Sequence, residues 1–331
     1  MHVMIIGGAG MIGRKLADRF AADAAVNHQQ IGTITLVDVV TPTAPAAFGG
    51  QVNCVTADLT SDSDVRSLIA TRPDVIFHLA AIVSSDAEAD FEKGYAINLD
   101  GTRQLFEAIR LESAPAPYRP KVIFTSSLAV FGQPLPELIP DDFLLAPLTS
   151  YGTQKAIGEL LLGDYSRRGI FDGVALRLPT ICVRPGKPNK AASGFFSGIL
   201  REPLVGQEAV LPVATSVRHW FASPRAAVTA LVHAASIDMS KLGGRRSLNL
   251  PGLSATVEDQ IEALRSVAGN EAVGLIRKQT DPTVEAIIAS WPQGFTAERA
   301  IELGFTAETS MEEIIRVHIE DDLGGAVPVK R

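Results

Sequence analysis

The chain has 331 residues, 46% of them hydrophobic and 20% charged, with a formal net charge of −7 and a sequence pI of about 5.4. That is length for one large domain with a smaller attachment or for two unequal domains, and the acidic balance argues against nucleic-acid binding, which needs a basic face. No apolar run reaches the roughly 18 residues of a membrane-spanning helix; the start lacks the basic and cleavage-site pattern of a signal peptide; and Cys54 and Cys182 stand far apart, so neither a disulfide framework nor a zinc site is expected, and a reducing cytoplasm is.

Residues 2–6 (HVMII) read as a short buried strand, and Met11–Ala22 as a helix in which Ile12, Leu16 and Phe20 recur at helical spacing. Between them stands Gly7-x-x-Gly10-x-x-Gly13. Such a stretch can be a tight turn and nothing more. It can also let a pyrophosphate approach bare backbone, where the first turn of the helix (Met11, Ile12, Gly13) offers unpaired N–H groups and a partial positive charge. The next strand, Thr33–Val40, contains Asp38 near its end, 25 residues after Gly13. A carboxylate there can accept hydrogen bonds from ribose hydroxyls and repels a 2′-phosphate, which favours NAD over NADP.

Gln51–Leu59 is a third strand, and the segment SDSDVRSLIA after it is a capped helix. Asp58 and Leu59 close that strand where an adenine can be flanked. Pro73–Ala81 is a fourth strand, continuously apolar as expected of one covered on both faces. Its end, Leu79-Ala80-Ala81, is small enough for a cofactor to lie against. His78 reads as a packed histidine, since no second metal-binding side chain stands near it in a recognisable spacing. Tyr95–Ser113 is a long helix, Lys121–Gly132 a fifth strand running into a loop, Ser150–Gly169 a second long helix and Asp172–Val183 a sixth strand. This alternation predicts an α/β fold, a doubly wound parallel sheet.

The alternation breaks near Arg184, where RPGKPNKAASGF leads into an irregular stretch. A short strand and a helix follow in SVRHWFASPRAAVTALVHAAS, another short strand in RRSLNLPG, and helix-like segments over Thr256–Leu323. The expected division is a dinucleotide-binding domain of residues 1–180 with 216–250, and a smaller discontinuous substrate domain of residues 181–215 with 251–331.

Tyr151 and Lys155 lie four apart on one helix face. A phenol titrating near 10 is a poor base at neutral pH, and a neighbouring ammonium favours the phenolate. Ser127, 24 residues before Tyr151, closes the fifth strand, and strand ends line the ligand crevice of a parallel sheet. A hydroxyl there can hold a substrate oxygen beside the tyrosine.

The segments GGAGMIG, HLAA, NLDGTRQLFEA, TSSLAVFG and YGTQK, with Asp38, cover about the first 180 residues. Together they resemble the extended short-chain dehydrogenase/reductase superfamily, the NAD-dependent epimerase/dehydratase group. The resemblance implies a Rossmann-type first domain with a smaller α/β substrate domain, NAD as cofactor, and catalysis by Ser127, Tyr151 and Lys155. The family serine stands four residues before the aromatic of SxxV[YF]G, which selects Ser127 over Ser126; Phe131 fills a position where many relatives have tyrosine. Asn98 matches a helix asparagine that is structural or part of a proton relay, and Pro179 matches a cofactor contact. The two long helices pair into a homodimer in relatives.

The second half resembles the branch of the group that acts on four-carbon acid sugars, which implies oxidation of a small 2-hydroxy acid at C2. Arg184, Lys187, Lys190 and Arg218 are cations in the segments expected to roof the cleft, and a guanidinium fork can bind a carboxylate twice. Arg218 is the stronger expectation, because Arg184 precedes a proline-glycine turn that would carry it into solvent. Two alternatives use the same residues. One is a nucleotide-sugar epimerase or dehydratase with transient oxidation, which releases no free NADH. The other is a non-catalytic NAD-binding regulator, against which the intact Ser127, Tyr151 and Lys155 argue.

Overall fold

The computed structural model describes residues 1–186 and 192–327. The chain divides into two compact units: Met1–Val130 with Pro147–Arg177 and Val228–Leu248, and Phe131–Ala146 with Leu178–Ala227 and Asn249–Arg331.

The first unit is built on a seven-stranded sheet of β1 (His2–Ile6), β2 (Thr33–Asp38), β3 (Gln51–Thr56), β4 (Val75–His78), β5 (Lys121–Ser127), β6 (Asp172–Leu178) and β7 (Ser247–Asn249). Their spatial order is β3-β2-β1-β4-β5-β6-β7, and β1 pairs in parallel with both β2 and β4. The order therefore reverses between β1 and β4, the switch point where parallel sheets open a crevice. Alternate residues of β1 bury both faces. Helix α1 (Met11–Asp23) covers one face through Leu16 and Phe20, the latter 5.3 Å from Phe77 between ring centroids. Met4 and Ile6 join the opposite core with residues of α2 (Asp62–Ile69), α3 (Gly101–Glu112) and α4 (Ser150–Arg167), among them Leu68, Phe106 and Leu162. Several strands end earlier than the apolar patterns suggest: β2 at Asp38, β4 at His78, β5 at Ser127 and β6 at Leu178. The long helix expected over Tyr95–Ser113 begins as a π-helical turn, Tyr95–Asp100, a feature frequent at functional sites.

The second unit holds a three-stranded sheet in which Arg218–Ala222 pairs antiparallel with Leu253–Thr256 and parallel with Thr180–Ile181. Ala209–Leu211 pairs with Ile276–Lys278. Phe196, Leu200, Phe221, Leu264 and Ile314 share its core. The stretch expected to be irregular after Arg184 contains the helix Gly194–Leu204, masked in the sequence by the glycines and by Pro203 in its last turn. Segments 131–146 and 216–227, expected with the first domain, belong to the second unit. Ile139 bridges to Phe295, Phe131 packs 5.6 Å from the Phe295 ring, and Arg218–Ala222 finds both its strand partners there. Such long-range pairings leave no local pattern to read.

His78 in the first unit and His219 in the second are fully buried and uncharged. His78 Nε2 lies 2.8 Å from Thr102 Oγ1, and His219 Nε2 lies 2.6 Å from Thr180 Oγ1, its ring stacked on Phe196 at 4.9 Å. Burial pushes both imidazoles down to about 3. An unfolded histidine titrates near 6.5, so below that pH the unfolded chain binds more protons and stability falls, by up to about 1.4 kcal/mol per pH unit for each group. Denaturant unfolding between pH 7.5 and 4.5 should show this decline, and His78→Gln or His219→Gln should flatten it; an unchanged slope in both variants contradicts the assignment.

The turn after β1 is locked by close backbone approach. Gly7 has φ of +94°, and a Cβ on it would stand 2.8 Å from the Ala80 nitrogen; a Cβ on Gly13 would stand 2.1 Å from the Gly7 carbonyl oxygen. Gly10 is less constrained, its nearest neighbour being 3.3 Å away. Gly13→Ala should therefore destabilise the chain by about 1–3 kcal/mol, as overpacking does, and Gly10→Ala by clearly less. Equal unfolding midpoints for the two variants would contradict the interlock.

Candidate active site

Tyr151 and Lys155 share one face of α4. The helix is capped by Thr149, whose hydroxyl accepts the Gly152 N–H at 3.0 Å, and the Glu88 carboxylate accepts the Ser150 N–H. Two glycines bring α4 onto the end of β5. A Cβ on Gly152 would stand 2.1 Å from the Ala129 carbonyl oxygen, and one on Gly158 2.9 Å from the Phe124 ring. The strand end that carries Ser127 thus lies against the helical turn that carries Tyr151.

Lys155 is 2% exposed. Its ammonium donates to the Thr125 carbonyl at 2.8 Å, sits 4.7 Å from the Phe124 ring centroid and lies 5.8 Å from that of Tyr151. Burial pulls the Lys155 ammonium down to about 7, and the Glu159 carboxylate acts in the opposite direction. Its charge is therefore sensitive to its surroundings near neutral pH.

Ser126 and Ser127 point to different environments. The Ser126 hydroxyl is buried and donates to Glu159 at 2.5 Å. Ser127 is half-buried, and its oxygen accepts the Ala129 N–H at 3.2 Å. Ser127, and not Ser126, is the serine whose side chain is not committed to the interior.

At the switch point, the Gly7 and Gly8 N–H groups both donate to the Val37 carbonyl, at 2.8 and 2.9 Å. The Asp38 carboxylate accepts from the Ala9 N–H at 3.0 Å and from the Val39 N–H at 2.8 Å. Met11 opens α1 with no side-chain cap on Gly10 and no acidic residue in the first turn, so the helix end has the charge and donors suited to an anion. A glycine-floored turn, an uncapped helix start and a strand-end carboxylate fit a dinucleotide: pyrophosphate at residues 10–13, ribose hydroxyls at Asp38.

Other expected contacts have more local duties. Asp58 is exposed and accepts the Thr60 N–H at 2.9 Å, while Leu59 lies in the core. Leu79 extends the β1 pairing through its N–H to the Ile6 carbonyl at 2.8 Å. Ala80 meets Gly7, and Ala81 is half-buried beside it. Asn98 is 2% exposed, and its amide is used within the protein. It accepts the Ile82 N–H at 2.9 Å and donates to the Ile82 carbonyl and to Gln154 at 3.2 and 2.8 Å. It ties the segment after β4 to α4, with no amide hydrogen left for a ligand.

In the second unit, Pro179 is buried ahead of Thr180–Ile181. Arg184 does not swing into solvent. It is half-buried, donating to the Ile181 carbonyl at 3.1 Å and to the Ser193 hydroxyl at 2.7 Å, and these partners hold it despite the turn at Gly186. Arg218 is the exposed one, and it donates to the Ser254 carbonyl at 3.2 Å. The solvent argument that favoured Arg218 therefore falls away. Lys187 and Lys190 lie outside the described residues. Among the described residues no cluster of His, Cys, Asp or Glu could hold a metal ion, and no helix is long and apolar enough to cross a membrane.

Gly152, Gln154, Glu159 and Arg177 escaped the reading of the sequence. Glu159 had a signal, since it follows Lys155 by one helical turn on the same face. Arg177 had one too, as a charge inside the apolar strand VALRLP.

Residues 3–238 match the NAD dependent epimerase/dehydratase family. The chain is 49% identical to the D-erythronate dehydrogenase of Cupriavidus necator, over 97% of this chain and 98% of that one. It is 43% identical to the D-erythronate dehydrogenase of Haemophilus influenzae, over 98% and 100%. The crystal structure of a nucleoside-diphosphate-sugar epimerase from Agrobacterium tumefaciens superposes with a TM-score of 0.97 at 62% identity, covering 99% of this chain and 96% of that one. The matched span begins within β1 and takes in the glycine turn, Asp38, Ser127, Tyr151 and Lys155: the chain belongs to the NAD dependent epimerase/dehydratase family.

Proposed function

We propose that the protein is an NAD-dependent dehydrogenase that oxidises D-erythronate at C2 to the 2-oxo acid, in the catabolism of four-carbon acid sugars. The observation that carries this reading is near-full-length similarity to two D-erythronate dehydrogenases in a chain whose Ser127, Tyr151 and Lys155 are intact. Tyr151 takes the proton of the C2 hydroxyl, and Ser127 holds the reacting oxygen beside it. Charged Lys155 favours the phenolate form of Tyr151. Bound NAD supplies the acceptor for the hydrogen that leaves C2, while Asp38 and residues 10–13 hold and orient it. The substrate carboxylate needs a cation, and Arg184 and Arg218 are the proposed partners.

The protein is further proposed to work in the cytoplasm as a homodimer. The pairing surface is formed by the helices over residues 95–112 and 150–167, where Leu160 is 68% exposed. Leu160→Glu should shift the mass measured by light scattering from dimer to monomer; a parent chain that is already monomeric refutes the proposal.

The similarity to the Agrobacterium epimerase structure favours a second reading, a nucleotide-sugar epimerase with the same three residues. Absorbance at 340 nm separates the two. D-erythronate with NAD should yield free NADH, whereas an epimerase acting on a nucleotide sugar shows no net reduction.

Tyr151→Phe keeps the ring and removes the base, so kcat should fall by roughly 10²–10⁴, the usual contribution of an acid–base group, with NAD affinity nearly unchanged. Turnover surviving within a few-fold rules Tyr151 out as the base. Asp38→Ala should narrow the preference for NAD over NADP, and equal use of both by the parent chain would contradict the role given to Asp38. Truncating the arginine that meets the carboxylate should raise KM more than it lowers kcat. Arg184→Ala and Arg218→Ala, assayed on D-erythronate and on the matching polyol, identify it: the loss should be confined to the acid, and equal losses on both substrates acquit that arginine.

A further inference from the structure

Glu159 lies one turn beyond Lys155 on α4 and is 4% exposed. Its carboxylate accepts the Ser126 hydroxyl at 2.5 Å. It also takes two edges of the Arg177 guanidinium, Nε at 2.9 and 3.2 Å and Nη2 at 2.7 Å. The end of β5 is thus gripped residue by residue: the Thr125 carbonyl by Lys155, the Ser126 hydroxyl by Glu159, with Ser127 next in line. A one-residue change in that grip would turn Ser127 to the wrong face of the strand. On the dehydrogenase reading given above, we propose that Glu159 is a positioning residue: it pins the end of β5 to the catalytic helix and supplies the negative charge that keeps buried Lys155 protonated.

The groups around Lys155 come from three elements. Tyr151 and Glu159 share its helix, Phe124 and the Thr125 carbonyl come from β5, and His78 comes from β4. Arg177, on β6, stands behind Glu159. His78 is held neutral by burial, its imidazole down at about 3, so it brings no charge to Lys155 at neutral pH. Burial works against the ammonium, and the carboxylate of Glu159 works for it. Arg177 in turn keeps that carboxylate from standing alone in the interior, where an unpaired charge is costly.

Glu159→Gln separates charge from shape, because glutamine can still meet Ser126 while losing the charge. The direct readout is the titration of Lys155 in the chain without cofactor, followed by NMR on carbon-13-labelled lysine and assigned by difference against Lys155→Met. The midpoint should fall by about one pH unit in Glu159→Gln, a tenfold loss in proton affinity, and stay in place in Ser126→Ala. The alkaline limb of kcat/KM for D-erythronate should move to lower pH in step, with the ratio of variant to parent rates approaching one as the pH falls. If Arg177 without its counter-charge prevents folding, the uncharged pair Glu159→Gln, Arg177→Gln goes through the same titration with the same expectation. A Lys155 midpoint unmoved by loss of the carboxylate overturns the proposal. The titration needs no turnover, so a parent chain inactive on D-erythronate would count against the dehydrogenase reading without touching this result.

Discussion

The buried ammonium of Lys155 is the constraint around which the first unit is arranged. Taking such a charge out of water is expensive unless hydrogen bonds and opposite charge replace its hydration. Here the Thr125 carbonyl, the face of Phe124 and the Glu159 carboxylate do so. Each partner brings a further requirement. Thr125 must sit at the C-terminal end of a strand beside the switch point. Phe124 must face α4, and there is room for its ring only because residue 158 is glycine. Glu159 needs Arg177, which places a charge within the apolar run of β6.

The cofactor end of the crevice answers to a different constraint, close approach of backbone to backbone. At Gly7 and Gly13 the chain folds so tightly that any side chain would displace a neighbouring main-chain atom. The same tightness brings the Ala9 N–H within reach of Asp38, so the carboxylate is held in place by the turn itself. Preorganisation of this kind lowers the cost of ordering the site on binding. Gly152 applies the principle where α4 meets the end of β5, and the Ala129 carbonyl takes the space of a side chain. Glycine thus recurs wherever an element must come nearer to its neighbour than a Cβ permits.

The second unit is organised by strand pairing around Arg218–Ala222, with His219 stacked on Phe196 and Trp220 5.7 Å from Phe295. Arg184 and Arg218 hang from this framework in unlike ways, one anchored on the Ile181 carbonyl and Ser193, the other exposed. An anchored guanidinium loses less freedom on meeting a carboxylate, whereas an exposed one approaches with less desolvation.

The sequence by itself determined the alternation of strand and helix, the glycine turn, Asp38 at a strand end, Ser127 at the end of another, and Tyr151 and Lys155 on one helix. These are local matters: hydrophobic period, turn chemistry and helical spacing are each written within a single element or the turn that follows it. It did not determine that Ser126 faces Glu159, that Asn98 spends its amide on Ile82 and Gln154, or that Arg184 is held in the protein. It misplaced residues 131–146 and 216–227, whose partners lie far along the chain. Tertiary structure decided these points because a buried polar group is satisfied by whatever the fold brings near, and the partner of Ser126 is separated from it by 33 residues.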